Sequence, residues 1–104
     1  MAKYAITFRI DYAERAGSTY GERYSSFMEQ VRKTGVWEET TSFALTTSAE
    51  TTEQLCDRLY FQSKFTAAYD TVVVVNIDTG FAVSRGVIKS PATLRAKVNG
   101  LLQK

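Results

Sequence analysis

The chain has no histidine, one cysteine and one proline among its 104 residues, and each scarcity removes some chemistry. Without histidine there is no Ser-His-Asp or Cys-His nucleophile and no imidazole zinc site. Acid–base work falls to Asp, Glu, Lys, Tyr, water, or a hard cation such as Mg²⁺ held by carboxylates. Cys56 alone cannot close a disulfide within the chain, and in a helical pattern it reads as a small buried apolar residue rather than a reactive thiol. Charge of one sign is also scarce. Thirteen Lys/Arg against eleven Asp/Glu leave a net +2, too little by itself to mark a polyanion binder. No apolar run is long enough to span a bilayer, and no basic-then-apolar leader opens the chain. The expectation is a cytoplasmic protein with no membrane contact. The length fits one domain, residues 1–104, able to bury a modest core. No glycine-rich phosphate loop or cofactor motif is present.

What is there begins with alternation. In Tyr4-Ala5-Ile6-Thr7-Phe8-Arg9-Ile10 the even positions are large and apolar and the odd ones small or polar. That period of two predicts a central strand, with Tyr4, Ile6, Phe8 and Ile10 facing helices. Ala5, Thr7, Arg9 and Asp11 fall on the more open face. Residues 12–18 have no period and read as a loop. Thr19-Tyr20-Gly21-Glu22 fits a capping box, hydroxyl at the cap and carboxylate at N3. Tyr20, Tyr24, Phe27, Met28 and Val31 then make one helical stripe, with Arg32 and Lys33 in the last turn and Gly35 as terminator.

Val36-Trp37 reads as a short edge strand joined by a turn near residues 39–41 to a second clear strand, where Phe43 and Leu45 alternate with Ser42, Ala44 and Thr46. Thr51-Thr52-Glu53-Gln54 is another capping box. Its helix carries Leu55, Cys56, Leu59 and Tyr60 inward and Asp57, Arg58 and Lys64 to water, with Phe61 and Phe65 closing the far end. Val72-Val73-Val74-Val75 is apolar on both sides, so its second face needs cover from a partner subunit, the C-terminal segment, or both. After the turn Asp78-Thr79-Gly80 comes a fifth strand over residues 81–88, with Gly86 a possible bulge. Ser90-Pro91 opens a short helix in which Leu94, Val98, Leu101 and Leu102 share a face.

This order predicts an α+β fold: ferredoxin-like β-α-β-β-α-β with an added C-terminal strand and short helix. Right-handed crossovers put both main helices on one face. The valine strand then lies beside the first strand at an edge, and an exposed edge with an open face invites a homodimer.

The chain resembles a group of small ferredoxin-fold proteins that includes the SinR-like proteins, the CRISPR-associated adaptation nuclease-like subunit and the virulence-associated protein D toxins. The resemblance is nearest to the SinR-like members and covers about residues 3–77. It rests on the opening strand, Tyr20…Phe27…Val31, Gly35-x-Trp37, Ser42-Phe43-Ala44-Leu45-Thr46-Thr47, Asp57-Arg58-Leu59, and Asp70-Thr71-Val72-Val73-Val74. It implies a dimer and, for the nuclease members, metal-dependent cleavage of RNA or DNA. In those members an aspartate near the end of the first strand, one from each subunit, flanks a metal.

A gap-free alignment places Arg9 at that aspartate's position. Asp11 follows two residues later on the same face, about 7 Å along the strand. Asp11 is therefore the candidate catalytic and Mg²⁺-binding residue, with a strand-end carboxylate pairing with Arg9 or Arg15 as its plain structural role. Arg9 and Arg15 are the candidate nucleic-acid contacts, with an interfacial ion pair the other reading of Arg9. Tyr12, Tyr20 and Tyr24 interleaved with Arg15 and Arg23 could form a stacking platform for single strands, or simply pack on the helix face. Asp70 and Asp78 read as strand-boundary residues. Two functions follow. The first is a non-catalytic dimer that binds nucleic acid or a protein partner. The alternative is a Mg²⁺-dependent, toxin-like endoribonuclease or endonuclease acting through Asp11.

Overall fold

A computed structural model describes residues 1–14 and 17–104. The described residues form an α+β fold with one six-stranded mixed sheet and three helices. In chain order they are β1 (Ala2–Arg9), α1 (Tyr20–Val31), β2 (Val36–Trp37), β3 (Phe43–Ser48), α2 (Thr52–Phe61), β4 (Thr71–Asn76), β5 (Ala82–Gly86), α3 (Pro91–Lys97) and β6 (Leu101–Gln103). The strand order is β2-β3-β1-β4-β5-β6, antiparallel throughout except for the parallel β5–β6 pair.

The alternation of β1 is realised. Tyr4, Ile6, Phe8 and Ile10 are buried, whereas Thr7 and Arg9 are exposed. The buried side meets Phe27, Met28 and Val31 of α1 and Leu55, Cys56 and Leu59 of α2 in one core. Both helices therefore cover the same face of the sheet. Both begin at complete capping boxes, Thr19 with Glu22 and Thr51 with Gln54. Each cap satisfies N–H groups that the first helical turn leaves without partners.

Several expectations need correction. The valine strand is not an edge: β4 pairs with β1 on one side and β5 on the other. The C-terminal segment closes that side within the chain. It was expected to be helical through Leu101 and Leu102, but the helix stops at Lys97 and Leu101–Gln103 add a sixth strand. Gly100, at φ +95°, sits just before that strand. The backbone is already extended at Val98, and bonds linking residues 99–104 to Gly80, Ala82 and Ser84 then draw the chain onto the sheet edge.

The same segment covers part of the second face. Val73, Ala82 and Ser84 lie on the side away from α1 and α2, and all three are buried. Arg95 of α3 donates to Gln103 Oε1 on that side. Phe65 closes the core as expected, but Phe61 is 65% exposed. Arg32 caps α1 instead of lying in its last turn and forms a two-pronged ion pair with Glu38. Asp57 and Arg58 are half-buried rather than water-facing.

Candidate functional site

The part of the sheet not covered by α3 is the candidate contact surface. Strand registers align Trp37 with Leu45, Leu45 with Ala5, Ala5 with Val75, Val75 with Ala82 and Ala82 with Leu101. One apolar row thus runs across the face opposite the main helices, open from Trp37 to Val75 and closed at Ala82, which is fully buried. Lys3 lies beyond one side of this row, opposite Thr47, and Arg9 beyond the other, opposite Thr71. Among the described strand positions of this face there is no Asp or Glu. Lys3 and Arg9 are therefore the charged strand positions of this face, while Glu38 and Asp78 follow Trp37 and Ile77 at its margin.

At one margin the row opens into a groove of about 470 Å³, lined by Lys3, Gly35, Trp37, Leu45, Thr47 and Ile77 among others. Trp37 is 43% exposed and Ile77 50% exposed, so the two large side chains wall an open apolar floor.

Of the residues singled out from the sequence, Arg9 is exposed on this face. Asp11 is half-buried just beyond β1. Its backbone is held firmly: its N–H donates to Asp70 Oδ1 at 2.8 Å, and its carbonyl accepts from Arg23 Nη2. Arg15 lies outside the described residues. Tyr12, Tyr20 and Tyr24 do stack in sequence, with ring centroids 5.0 and 5.7 Å apart. Arg23 does not interleave with them at the surface, because it is fully buried.

A Mg²⁺ site at Asp11 would need further hard oxygen ligands. Among the described residues no three His, Cys, Asp or Glu side chains come together. Asp70, bonded to the Asp11 backbone, is already engaged. Its Oδ1 accepts from the Asp11 N–H, its Oδ2 from the Thr66 N–H at 2.9 Å, and Arg23 lies against it. Among the described residues Asp70 is thus engaged elsewhere, and Asp11 would need waters, a phosphate or a second subunit to complete a Mg²⁺ shell.

The Arg23–Asp70 pair is what sequence reasoning missed. Arg23 Nη1 donates to Ser18 O and Nη2 to the carbonyls of Asp11 and Ala13, so one guanidinium ties both ends of the 11–18 loop. A signal existed: Arg23 is four residues before Phe27 and three after Tyr20, on the apolar stripe itself.

A second ionic group joins α2 to the C-terminal strands. Lys104 Nζ reaches Glu53 and Asp57, and Arg85 Nη2 reaches Asp57 Oδ1 at 2.9 Å. The Arg85 guanidinium lies over the rings of Tyr60 and Phe61, 4.2 and 4.8 Å from their centroids. Burial pushes the Asp57 carboxyl up, but Lys104 and Arg85 outweigh it and leave the pKa below its ordinary value. Beside this group Cys56 is buried, and burial pushes its thiol up to about 12.

No family model, curated protein or solved structure matches the chain.

Proposed function

We propose that the chain is a homodimeric, non-catalytic binding module of the SinR-like type, built on a ferredoxin-like frame. In this reading nucleic acid is its preferred ligand and a protein partner the competitor. Support for the frame comes from the order β2-β3-β1-β4 and from α1 and α2 sharing one face. β5, α3 and β6 are then additions to that frame.

The observation that carries the reading is the acid-free sheet face with an apolar row between Lys3 and Arg9. A two-fold pairing of two such faces would match apolar row to apolar row at the usual sheet-stacking distance of about 10 Å. Arg9 would then stand at the rim of the pair, where phosphate oxygens are its natural partners. An acid-free rim attracts a polyanion without self-pairing. The non-catalytic form is favoured because Asp70 is committed to Arg23 and to two backbone N–H groups.

Light scattering on the eluting protein, with Leu45→Glu as comparison, tests the dimer. A dimeric parent and a monomeric variant are expected, and a parent that stays monomeric at micromolar concentration overturns the assembly. Gel shifts with labelled RNA and DNA across a salt series test the ligand: affinity is expected to fall steeply with salt and to weaken in Arg9→Gln. Mg²⁺-dependent cleavage abolished by Asp11→Ala would replace this reading with the nuclease.

A further inference from the structure

The groove beside Trp37 joins residues of the apolar row to the Lys3 ammonium, a mixed character that row-to-row pairing does not use in full. Its apolar lining is Val36, Trp37, Leu45 and Ile77, and its polar lining includes Thr47 and the Lys3 ammonium. Among the described residues Lys3 faces no carboxylate across this surface. Gly35, two residues before Trp37, contributes no side chain, and a Cβ built there meets nothing within 4 Å. The result is an open groove with a half-exposed indole and one lysine among its lining residues.

We propose that this groove is a binding site for a small planar aromatic anion, its ring laid against Trp37 and its carboxylate, sulfonate or phosphate directed to Lys3. Each part of that ligand answers a feature of the site. A flat ring gains offset stacking with the indole and covers Leu45 and Ile77. An anionic group gives Lys3 the charge-assisted partner it lacks. A cationic ligand finds no carboxylate here, and a neutral one leaves Lys3 unused. Trp37 and Leu45 also belong to the apolar row that the dimer reading pairs, so a second copy and a small anion compete for the groove, and the titration below distinguishes them.

Trp37 is the only tryptophan of the chain, so its emission reports on the groove directly. The probe is a naphthalene sulfonate, titrated into the whole protein at a fixed low concentration, with naphthalene methanol as the uncharged comparison. A saturable change in Trp37 emission is expected for the sulfonate. Lys3→Met should weaken it about tenfold, the low end for a lost hydrogen bond to a charged group. Gly35→Leu should weaken it too, because Gly35 lines the groove and a side chain there takes up open space. Circular dichroism melts confirm that each variant is folded. Because Lys3 is an exposed surface residue, its variant keeps the test decisive if the leucine variant fails to fold. Equal binding of the uncharged compound overturns the proposal, as does sulfonate binding unaffected by both substitutions. Trp37 emission that depends on protein concentration and ignores the sulfonate also overturns it, by showing that another copy fills the groove.

Discussion

Arg23 Nε lies 3.3 Å from Asp70 Oδ2, and both side chains are wholly excluded from solvent. Forty-seven residues apart in sequence, they join the first turn of α1 to the start of β4. The pair does more than cancel charge. Asp70 also accepts from the backbones of Asp11 and Thr66, while Arg23 serves the carbonyls of Asp11, Ala13 and Ser18. Asp70→Ala or Arg23→Met should each cost about 3–5 kcal/mol, because one change leaves the other charge buried and unpaired. Replacing both with apolar residues often restores stability at a buried pair. Here recovery should be incomplete by at least about 2 kcal/mol, because several backbone groups lose their partners together. Urea unfolding of the two single variants and the double variant measures this. A double variant as stable as the parent would contradict it.

Gly86 depends on the same carboxylate residue from the other side. Its φ is +91°, and a Cβ there would lie 1.9 Å from the Asp70 carbonyl oxygen. That carbonyl also accepts from the Val87 N–H. Gly86→Ala must therefore push β5 away from β4 and disturb Asp70. The expected loss is at least about 2–3 kcal/mol, or a fall in Tm of roughly 10–20 °C. Gly35→Ala is the matched comparison, since its added Cβ meets open space and its φ is not left-handed. It should change stability by less than about 1 kcal/mol. Thermal melts of the two variants side by side decide the point.

The contrast between these glycines also shows how far the sequence could be read. Local pattern was legible: the alternation of β1, both capping boxes, and the need for cover on both faces of Val72–Val75 are all present in the structure. What covers that second face was not legible, because it depends on where residues 87–104 travel. Leu94, Val98, Leu101 and Leu102 fit helical spacing, yet the backbone leaves the helix at Val98 to reach β5. The register-built row from Trp37 to Leu101 is invisible along the chain, since each member comes from a different strand. Read locally, Arg23 belongs to the interleaved tyrosines and arginines and Asp70 marks a strand boundary. Only the fold brings them together. Alternation puts Asp11 near the end of β1, but the engagement of its neighbour Asp70 depends on residues far away in the chain.

Acid should weaken the fold in a defined direction. Glu50 is held below its ordinary 4.5, chiefly by the Arg58 hydrogen bonds, and Asp57 below its ordinary 3.8, with Lys104 and Arg85 overcoming its burial. Depressed folded-state values mean that the unfolded chain takes up protons first. Their contribution is thus fully present above the ordinary values and is lost as pH falls through the folded ones. Urea midpoints should be nearly flat from pH 7 to about 5 and then decline. Arg58→Met should lower the midpoint at neutral pH and make the acid decline shallower. Midpoints that rise on acidification would show the sign to be wrong.

Cys56 tests the C-terminal closure. It lies in the core between α2 and β5, its sulfur 3.8 Å from the Val83 carbonyl, with a thiol pushed up to about 12 by burial. The thiolate is the reactive form, so at pH 8 the folded protein should leave an aromatic disulfide reagent almost untouched. Reaction requires opening that exposes β5, and β5 is overlaid by β6 and by the Lys104 contacts to Glu53 and Asp57. Lys104→Ala loosens that overlay without touching Cys56. If β6 protects the thiol, labelling should quicken several-fold in this variant while the urea midpoint moves little. If labelling instead keeps pace with global unfolding in both proteins, β6 is an integral part of the cooperative unit rather than a separable strap.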